Sequence, residues 1–267
     1  HDMAYIFQCP DGRIVFAIPY EGEFTLVGTT DVEFRGAPGQ ARIDDGEIAY
    51  LCDRVNQYLA EPVAPADVVW SYAGVRPLLE GDSDDPSALT RDYALELERD
   101  GGAPLLNVWG GKITTFRRLA EEAADLLAPV LGSRQGAWTA GAPLTGGELA
   151  AWLGRPAGRP DEDFEHFVQA LVARHPQREP AMLRRMARAY ATVAPTLLEA
   201  PLGDDVAPGV HESELQHLRD HEWARDGDDV LWRRSKLGLH LSAAHRQTVH
   251  DWMAGATGTA APATSSK

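Results

Sequence analysis

A glycine-rich corner and three cationic side chains are the residues of this chain best suited to chemistry. Lys112 follows Gly110-Gly111 and precedes Ile113-Thr114-Thr115, where the apolar run Asn107-Val108-Trp109 gives way to an amphipathic pattern. Glycines let a backbone approach a ligand, and a helix start presents unpaired N–H groups with partial positive charge. With an ammonium and two threonine hydroxyls on the same turn, this corner suits an anion, either a phosphate or an electron-rich cofactor ring. Gly-Gly before a helix also serves as a plain tight turn, and no G-x-G-x-x-G fingerprint occurs in the chain.

The other two cations are Arg76, in Ser71-Tyr72-Ala73-Gly74-Val75-Arg76-Pro77, and Arg91, in Thr90-Arg91-Asp92-Tyr93. A guanidinium is a planar fork that matches phosphate or carboxylate through two N–H groups. If the strands that carry them lie side by side, their ends bring Arg76, Arg91 and Lys112 together. Each alone is equally a surface charge, and Arg91 is equally a partner for Asp92. Arg76 stands out because glycine and proline restrain the backbone on both sides. Gly28-Thr29-Thr30-Asp31 is a corner whose side chains either satisfy backbone groups or line a pocket. His217 and His221 have the i, i+4 spacing of a zinc pair, but no third ligand is evident, so no metal site is assigned. No Ser/His/Asp nucleophilic arrangement can be argued.

The elements that position these residues fall into two halves. Tyr5–Cys9, Arg13–Ile18 and Phe24–Thr30 read as an antiparallel meander with turns at Asp11-Gly12 and Glu21-Gly22. Asp44 and Glu47 form a capping-box pattern ahead of an amphipathic helix over 45–60, ended by Pro62 and Pro65. Val68–Val75, Leu89–Glu98 and Leu105–Trp109 read as further strands, with an acidic surface loop at Gly81–Pro86. A long helix follows over 112–131, its apolar face carrying Ile113, Phe116, Leu119, Ala123, Leu126 and Leu127. Residues 132–160 are rich in glycine and proline and read as a wrapping linker anchored by Trp138 and Trp152.

Beyond the linker, every pattern is helical. One stripe is Phe164, Phe167, Val168, Leu171 and Val172, and another is Met182, Leu183, Met186, Ala187 and Tyr190. Leu215 and Leu218 mark a third helix, and Val230, Leu231 and Leu237 a fourth. Ser242 caps a last one that carries Val249, Trp252 and Met253. The domains expected are 1–131, a linker 132–160, a helical domain 161–254 and a disordered tail 255–267.

Composition narrows the partners. A net charge of −15 without a basic stripe argues against nucleic acid. Cys9 and Cys52 make no disulfide framework and fit a reducing compartment. No apolar run approaches a transmembrane span. Arg184, Arg185 and Arg188 read as a solvated helix face rather than a lipid contact. The chain starts with His1-Asp2-Met3 and enters a strand pattern at once, without a signal peptide, as though beginning in mid-fold.

Several separated tracts together resemble the FAD-dependent, respiratory-type glycerol-3-phosphate dehydrogenases. They are Asp11–Tyr20, Gly28–Asp31, Ser71–Leu78, Leu89–Tyr93, Gly110–Thr115, Asp220–Ala224 and Asp229–Gly238, spanning residues 4 to about 253. The resemblance implies an α+β fold: an antiparallel-sheet substrate-binding region with the final strand and helix of an FAD-binding domain, then an all-α C-terminal domain. The N-terminal Rossmann segment would be missing. It implies oxidation of sn-glycerol 3-phosphate to dihydroxyacetone phosphate, with FAD as cofactor and quinone as electron acceptor. Arg76, Arg91 and Lys112 would hold the substrate. Gly110, Gly111, Lys112, Thr114 and Thr115 would face the flavin pyrimidine edge, where a helix start and an ammonium favour negative charge. The catalytic base would lie upstream of this chain, which alone would bind FAD weakly and not turn over.

The resemblance further implies a cytoplasmic location, or peripheral contact with the cytoplasmic face of the inner membrane, and allows a homodimer. Two alternatives remain at this point. One is a flavin oxidase of an amino or hydroxy acid, in which Arg76 clamps a carboxylate. The other is a non-catalytic scaffold, which has no need of converging cations.

Overall fold

The computed structural model describes residues 3–76 and 92–257. The chain divides into two compact units between Gly141 and Ala142, inside the glycine-rich stretch 132–160.

In the first unit, β1 (Tyr5–Gln8), β2 (Ile14–Tyr20) and β3 (Phe24–Gly28) form an antiparallel sheet in that order. Gly12 and Gly22 sit at positive φ in the two connections, as their turn sequences predict. Alternation along β2 turns Val15 and Ala17 inward and leaves Ile14 and Phe16 exposed. Helix α1 (Asp45–Asn56) begins with the expected capping box, Asp44 and Glu47 each accepting the other's backbone N–H. Its Leu51 and Val55 pack with Val15 and Cys9 into a small core. The helix ends at Asn56 rather than 60. There the Asn56 carboxamide donates to the Val63 carbonyl and accepts the Val63 N–H, both at 2.8 Å, and turns the chain back.

The expected strand over Val68–Val75 does not form. The segment is non-strand backbone after a 3₁₀ turn at Pro65–Asp67, and no ladder partner lines up with it among the described residues. Its β-branched composition alone cannot supply the hydrogen bonds that define a strand. The next sheet is the hairpin β4 (Tyr93–Glu98) and β5 (Leu105–Gly110). The start of the strand expected at Leu89, with Arg91 and the acidic loop, lies outside the described residues. Helix α2 spans Phe116–Leu131 and stops at Gly132, whose left-handed backbone sends its N–H to the Ala128 carbonyl. Residues 113–115, expected as its first turn, are a separate 3₁₀ turn. Trp138 is 70 % exposed and anchors nothing. Thr139 takes that part, donating to Glu121 of α2.

The second unit is mainly helical: α3 (Leu149–Trp152), α4 (Pro160–Arg174), α5 (Pro180–Tyr190), α6 (Ala194–Glu199), α7 (Glu212–Glu222), α8 (Leu237–His240) and α9 (Ala243–Thr257). The predicted stripes are its core, with Phe167, Leu171, Leu183, Met186, Leu215, Leu218, Leu231 and Met253 fully buried. Ser242 accepts the His245 N–H at the start of α9, as expected of a cap.

Four expectations need correction here. The unit is not all-α, because β6 (Asp205–Ala207) and β7 (Val210–His211) form a ribbon across a Pro208-Gly209 turn. The single helix expected through Val230 and Leu237 is two pieces, a π-helical turn over Asp229–Arg234 and then α8. Ser235 makes the break, its hydroxyl donating to the Val230 carbonyl and accepting the Leu237 N–H. Arg185 is not a solvated charge but turns inward to Glu214. Helix α9 continues through Gly255 to Thr257, where a disordered tail was expected to have begun; residues 258–267 lie outside the described ones. The chain as a whole is mixed α/β with small antiparallel sheets.

Asp163, buried in the first turn of α4, gives the second unit an acid-sensitive joint. It accepts the Gly158 N–H at 2.9 Å and the Arg155 guanidinium. The Gly158 N–H first, and then Arg155, hold its carboxyl below the ordinary aspartate range, against the opposing pull of burial. A lowered folded pKa contributes stability that is complete above the unfolded value and lost as pH falls through the folded one. Asp163→Asn should therefore melt below the unmodified protein at neutral pH, with the gap narrowing below about pH 4. Melting curves of both proteins across that range test this, and a gap that does not change with pH would contradict it.

Candidate functional site

The corner after β5 is built by a close approach. Gly110 pairs with Tyr93 at the end of the hairpin, and Gly110 and Gly111 have φ of 65° and 100°. A Cβ on Gly111 would stand 3.3 Å from both Leu119 Cδ1 of α2 and Tyr93 Cβ of β4. Position 111 is thus held to glycine both by its backbone angle and by α2 folding back on the hairpin. In the 3₁₀ turn that follows, the Thr115 N–H and hydroxyl both bond the Lys112 carbonyl, at 3.0 and 2.8 Å. Thr115 therefore spends its hydroxyl proton inside the turn, whereas the amides of Ile113 and Thr114 precede its first bond and remain for a ligand or water. Lys112 and Thr114 are exposed, and Lys112 has no ion pair among the described residues.

Arg76 has a carboxylate partner in the same unit. Its Nη1 donates to Asp31 Oδ2 at 2.8 Å, with both side chains more than half exposed. Asp31 belongs to the corner after β3, and the neighbouring Thr30 hydroxyl donates to Glu47 in the capping box of α1. The residue before Asp31 is thereby tied to α1, and Asp31 in turn is bonded to Arg76. The expectation from sequence is that strands lying side by side bring Arg76, Arg91 and Lys112 together at their ends. Residues 68–75 are not a strand, Arg91 lies outside the described residues, and no bond joins Arg76 to the Lys112 turn among the described residues. Sequence reasoning singled out the corner that contains Asp31 but missed its pairing with Arg76. The signal was the place of Asp31 at the end of Gly28-Thr29-Thr30-Asp31.

In the second unit, His217 meets the Tyr190 ring edge-on at 5.4 Å and approaches Glu222 at 3.5 Å. No group of three or more His, Cys, Asp or Glu suited to a metal occurs among the described residues.

Residues 2–117 match the model of the FAD dependent oxidoreductase family, so the corner and Arg76 both lie within sequence characteristic of flavin enzymes. Nearly the whole chain is related to particular members. It is 45 % identical over 249 residues to the glycerol-3-phosphate dehydrogenase of Pseudomonas aeruginosa, covering 91 % of this chain and 46 % of that protein. It is 40 % identical to the aerobic glycerol-3-phosphate dehydrogenase of Escherichia coli, covering 94 % and 49 %. It is 39 % identical to the D-erythritol 1-phosphate dehydrogenase of Brucella abortus, covering 93 % and 49 %. Most of the chain is thus similar to glycerol-3-phosphate dehydrogenases, and residues 2–117 are similar to FAD dependent oxidoreductases. It spans about half the length of the relatives it matches.

The corner suits one edge of the cofactor that this family uses. Residue 111 cannot carry a side chain without strain, two backbone donors are left over, and the exposed Lys112 directly precedes them in the chain. That donor set matches the carbonyl-bearing edge of a flavin. The ADP half would need a glycine-rich fingerprint that this sequence lacks.

Proposed function

We propose that this chain forms about half of an enzyme that oxidises sn-glycerol 3-phosphate to dihydroxyacetone phosphate with FAD and delivers the electrons to quinone. The observation that carries this reading is the relation, at 40–45 % identity across more than nine-tenths of the chain, to proteins with that dehydrogenase name. FAD, when bound, supplies the two-electron oxidising power for a secondary alcohol. This chain supplies binding and electrostatics. Lys112 and the amides of Ile113 and Thr114 stabilise negative charge on the pyrimidine edge, with Gly110 and Gly111 allowing the close approach and Thr114 and Thr115 flanking it. Arg76, Arg91 and Lys112 bind the phosphate and orient the substrate oxygens. The base that takes the hydroxyl proton comes from outside this chain.

A second substrate has a specific observation in its favour, the D-erythritol 1-phosphate dehydrogenase relative at 39 %. Both substrates named by the relatives are polyol monophosphates, which suits a cationic seat. An amino-acid or hydroxy-acid oxidase, or a scaffold, has no such support. Quinone delivery would place the protein peripherally on a membrane, in keeping with described helices that are none long and apolar enough to cross one.

The test uses a polypeptide of the relatives' length that carries this chain. Its flavin should bleach on addition of sn-glycerol 3-phosphate and not with glycine or D-amino acids, and faster bleaching with D-erythritol 1-phosphate would move the assignment to that substrate. The 267-residue chain alone should purify without the yellow flavin spectrum. A stoichiometric flavin on it would refute the view that the ADP half is bound elsewhere.

A further inference from the structure

We infer that Asp31 is the positioning residue of Arg76, an inference that rests on the ligand role just given to Arg76. The bond at Nη1 occupies one corner of the guanidinium. Among the described residues no other bond is made to that group, which leaves the Nε–Nη2 edge as the fork. Those two N–H groups are parallel and match two oxygens of a phosphate. A long flexible side chain pinned at one nitrogen keeps the plane of the remaining edge, so the ligand meets a fork already set.

Asp31 is suited to this because the chain just before it is tied to α1. It follows Thr30, whose hydroxyl is bonded to Glu47 at the start of α1. It also lies 45 residues from Arg76 in sequence, so the pair ties the non-strand segment before Pro77 to the sheet-and-helix framework. Holding the fold together is a poor explanation for the pair. Both side chains are more than half exposed, where an ion pair contributes little to stability.

The experiment uses the 267-residue protein labelled with ¹⁵N at arginine, the Nε–H signal of Arg76 being the one lost in Arg76→Lys. Rotation of this guanidinium should be slow in the unsubstituted protein, fast in Asp31→Ala and slow again in Asp31→Glu, which restores a carboxylate. Titration with sn-glycerol 3-phosphate should move the signal, and Asp31→Ala should bind about threefold to fivefold more weakly, the range an exposed ion pair supports. Inorganic phosphate should lose affinity by a similar factor, since the fork reads the oxyanion.

If removing the carboxylate leaves rotation unchanged, or tightens binding as relief of charge repulsion would, the inference is overturned while Arg76 keeps its ligand role. If Arg76 is held by Asp31 but its signal ignores sn-glycerol 3-phosphate, the ligand role fails and the inference fails with it.

Discussion

Alanine in place of Glu214 is expected to destabilise the helical unit by about 3 kcal/mol, the lower end of the cost of stranding a buried charge, because the Arg185 side chain is 27 % exposed. Glu214 is 1 % exposed on α7. Its two oxygens accept Arg185 Nη1 at 2.6 Å and Nη2 at 2.8 Å, and Oε1 also accepts the Tyr190 hydroxyl at 2.8 Å. Arg185 Nη2 further donates to the Gly209 carbonyl in the β6–β7 turn. One carboxylate therefore joins α5 to α7 and, through Arg185, to the ribbon, and its loss leaves the guanidinium with only the Gly209 carbonyl and takes the acceptor from the buried Tyr190 hydroxyl.

Urea unfolding should show the drop as a lower midpoint at unchanged slope. The double substitution Glu214→Met with Arg185→Met should recover part of it, because a buried ion pair is seldom worth more than well-packed apolar groups, while the Tyr190 hydroxyl stays without its acceptor. A loss below about 1 kcal/mol in the single variant would mean that the site is wet and the account wrong.

Tyr190 adds an alkaline arm to the same cluster. Burial, and then the Glu214 carboxylate, push its hydroxyl far above the ordinary tyrosine range. A raised folded pKa contributes stability that is complete below the unfolded value, and it fades as pH rises past about 10.

Gly227→Ala should cost about 1–3 kcal/mol by overpacking, toward the upper end of that range. Gly227 lies just before the π-helical turn, where the chain passes against α9. A Cβ there would stand 2.4 Å from His250 Nδ1, 2.6 Å from Cγ and 2.9 Å from the backbone Cα. The imidazole could swing away, but the α-carbon moves only if α9 moves, and α9 carries the buried Val249 and Met253. Pairing Gly227→Ala with His250→Ala separates the two obstacles. If the helix backbone is the barrier, thermal melts of the pair should stay well below those of His250→Ala alone. Full recovery in the pair would show that the ring was the whole obstruction.

These sites show how far the sequence could be read. Asp11-Gly12 and Glu21-Gly22 announced their hairpins because a turn is decided by the few residues inside it. Asp44 and Glu47 announced α1 because a capping box closes within one turn. The stripes on α4 and α5 were legible because an amphipathic helix carries its own period. The Gly110-Gly111 corner was visible too, although the spending of the Thr115 hydroxyl on Lys112 was not. Val68–Val75 misled because strand composition states a preference that only a neighbouring strand can satisfy. The π-helical break at Ser235 was hidden because Val230, Leu231 and Leu237 keep a helical spacing across it.

By itself the sequence determined most of the local elements, the glycine corner before α2 and the likeness to flavin-dependent dehydrogenases, all of which are written within short tracts or their order. Only the tertiary structure decided that Arg185 turns inward to Glu214, that Gly227 must yield to His250, and that Arg76 is held by Asp31. In each of these the partner lies more than twenty residues away in the chain. A charge or a glycine looks the same in sequence whether it faces water or a partner, and its energy is set by the partner that folding brings to it.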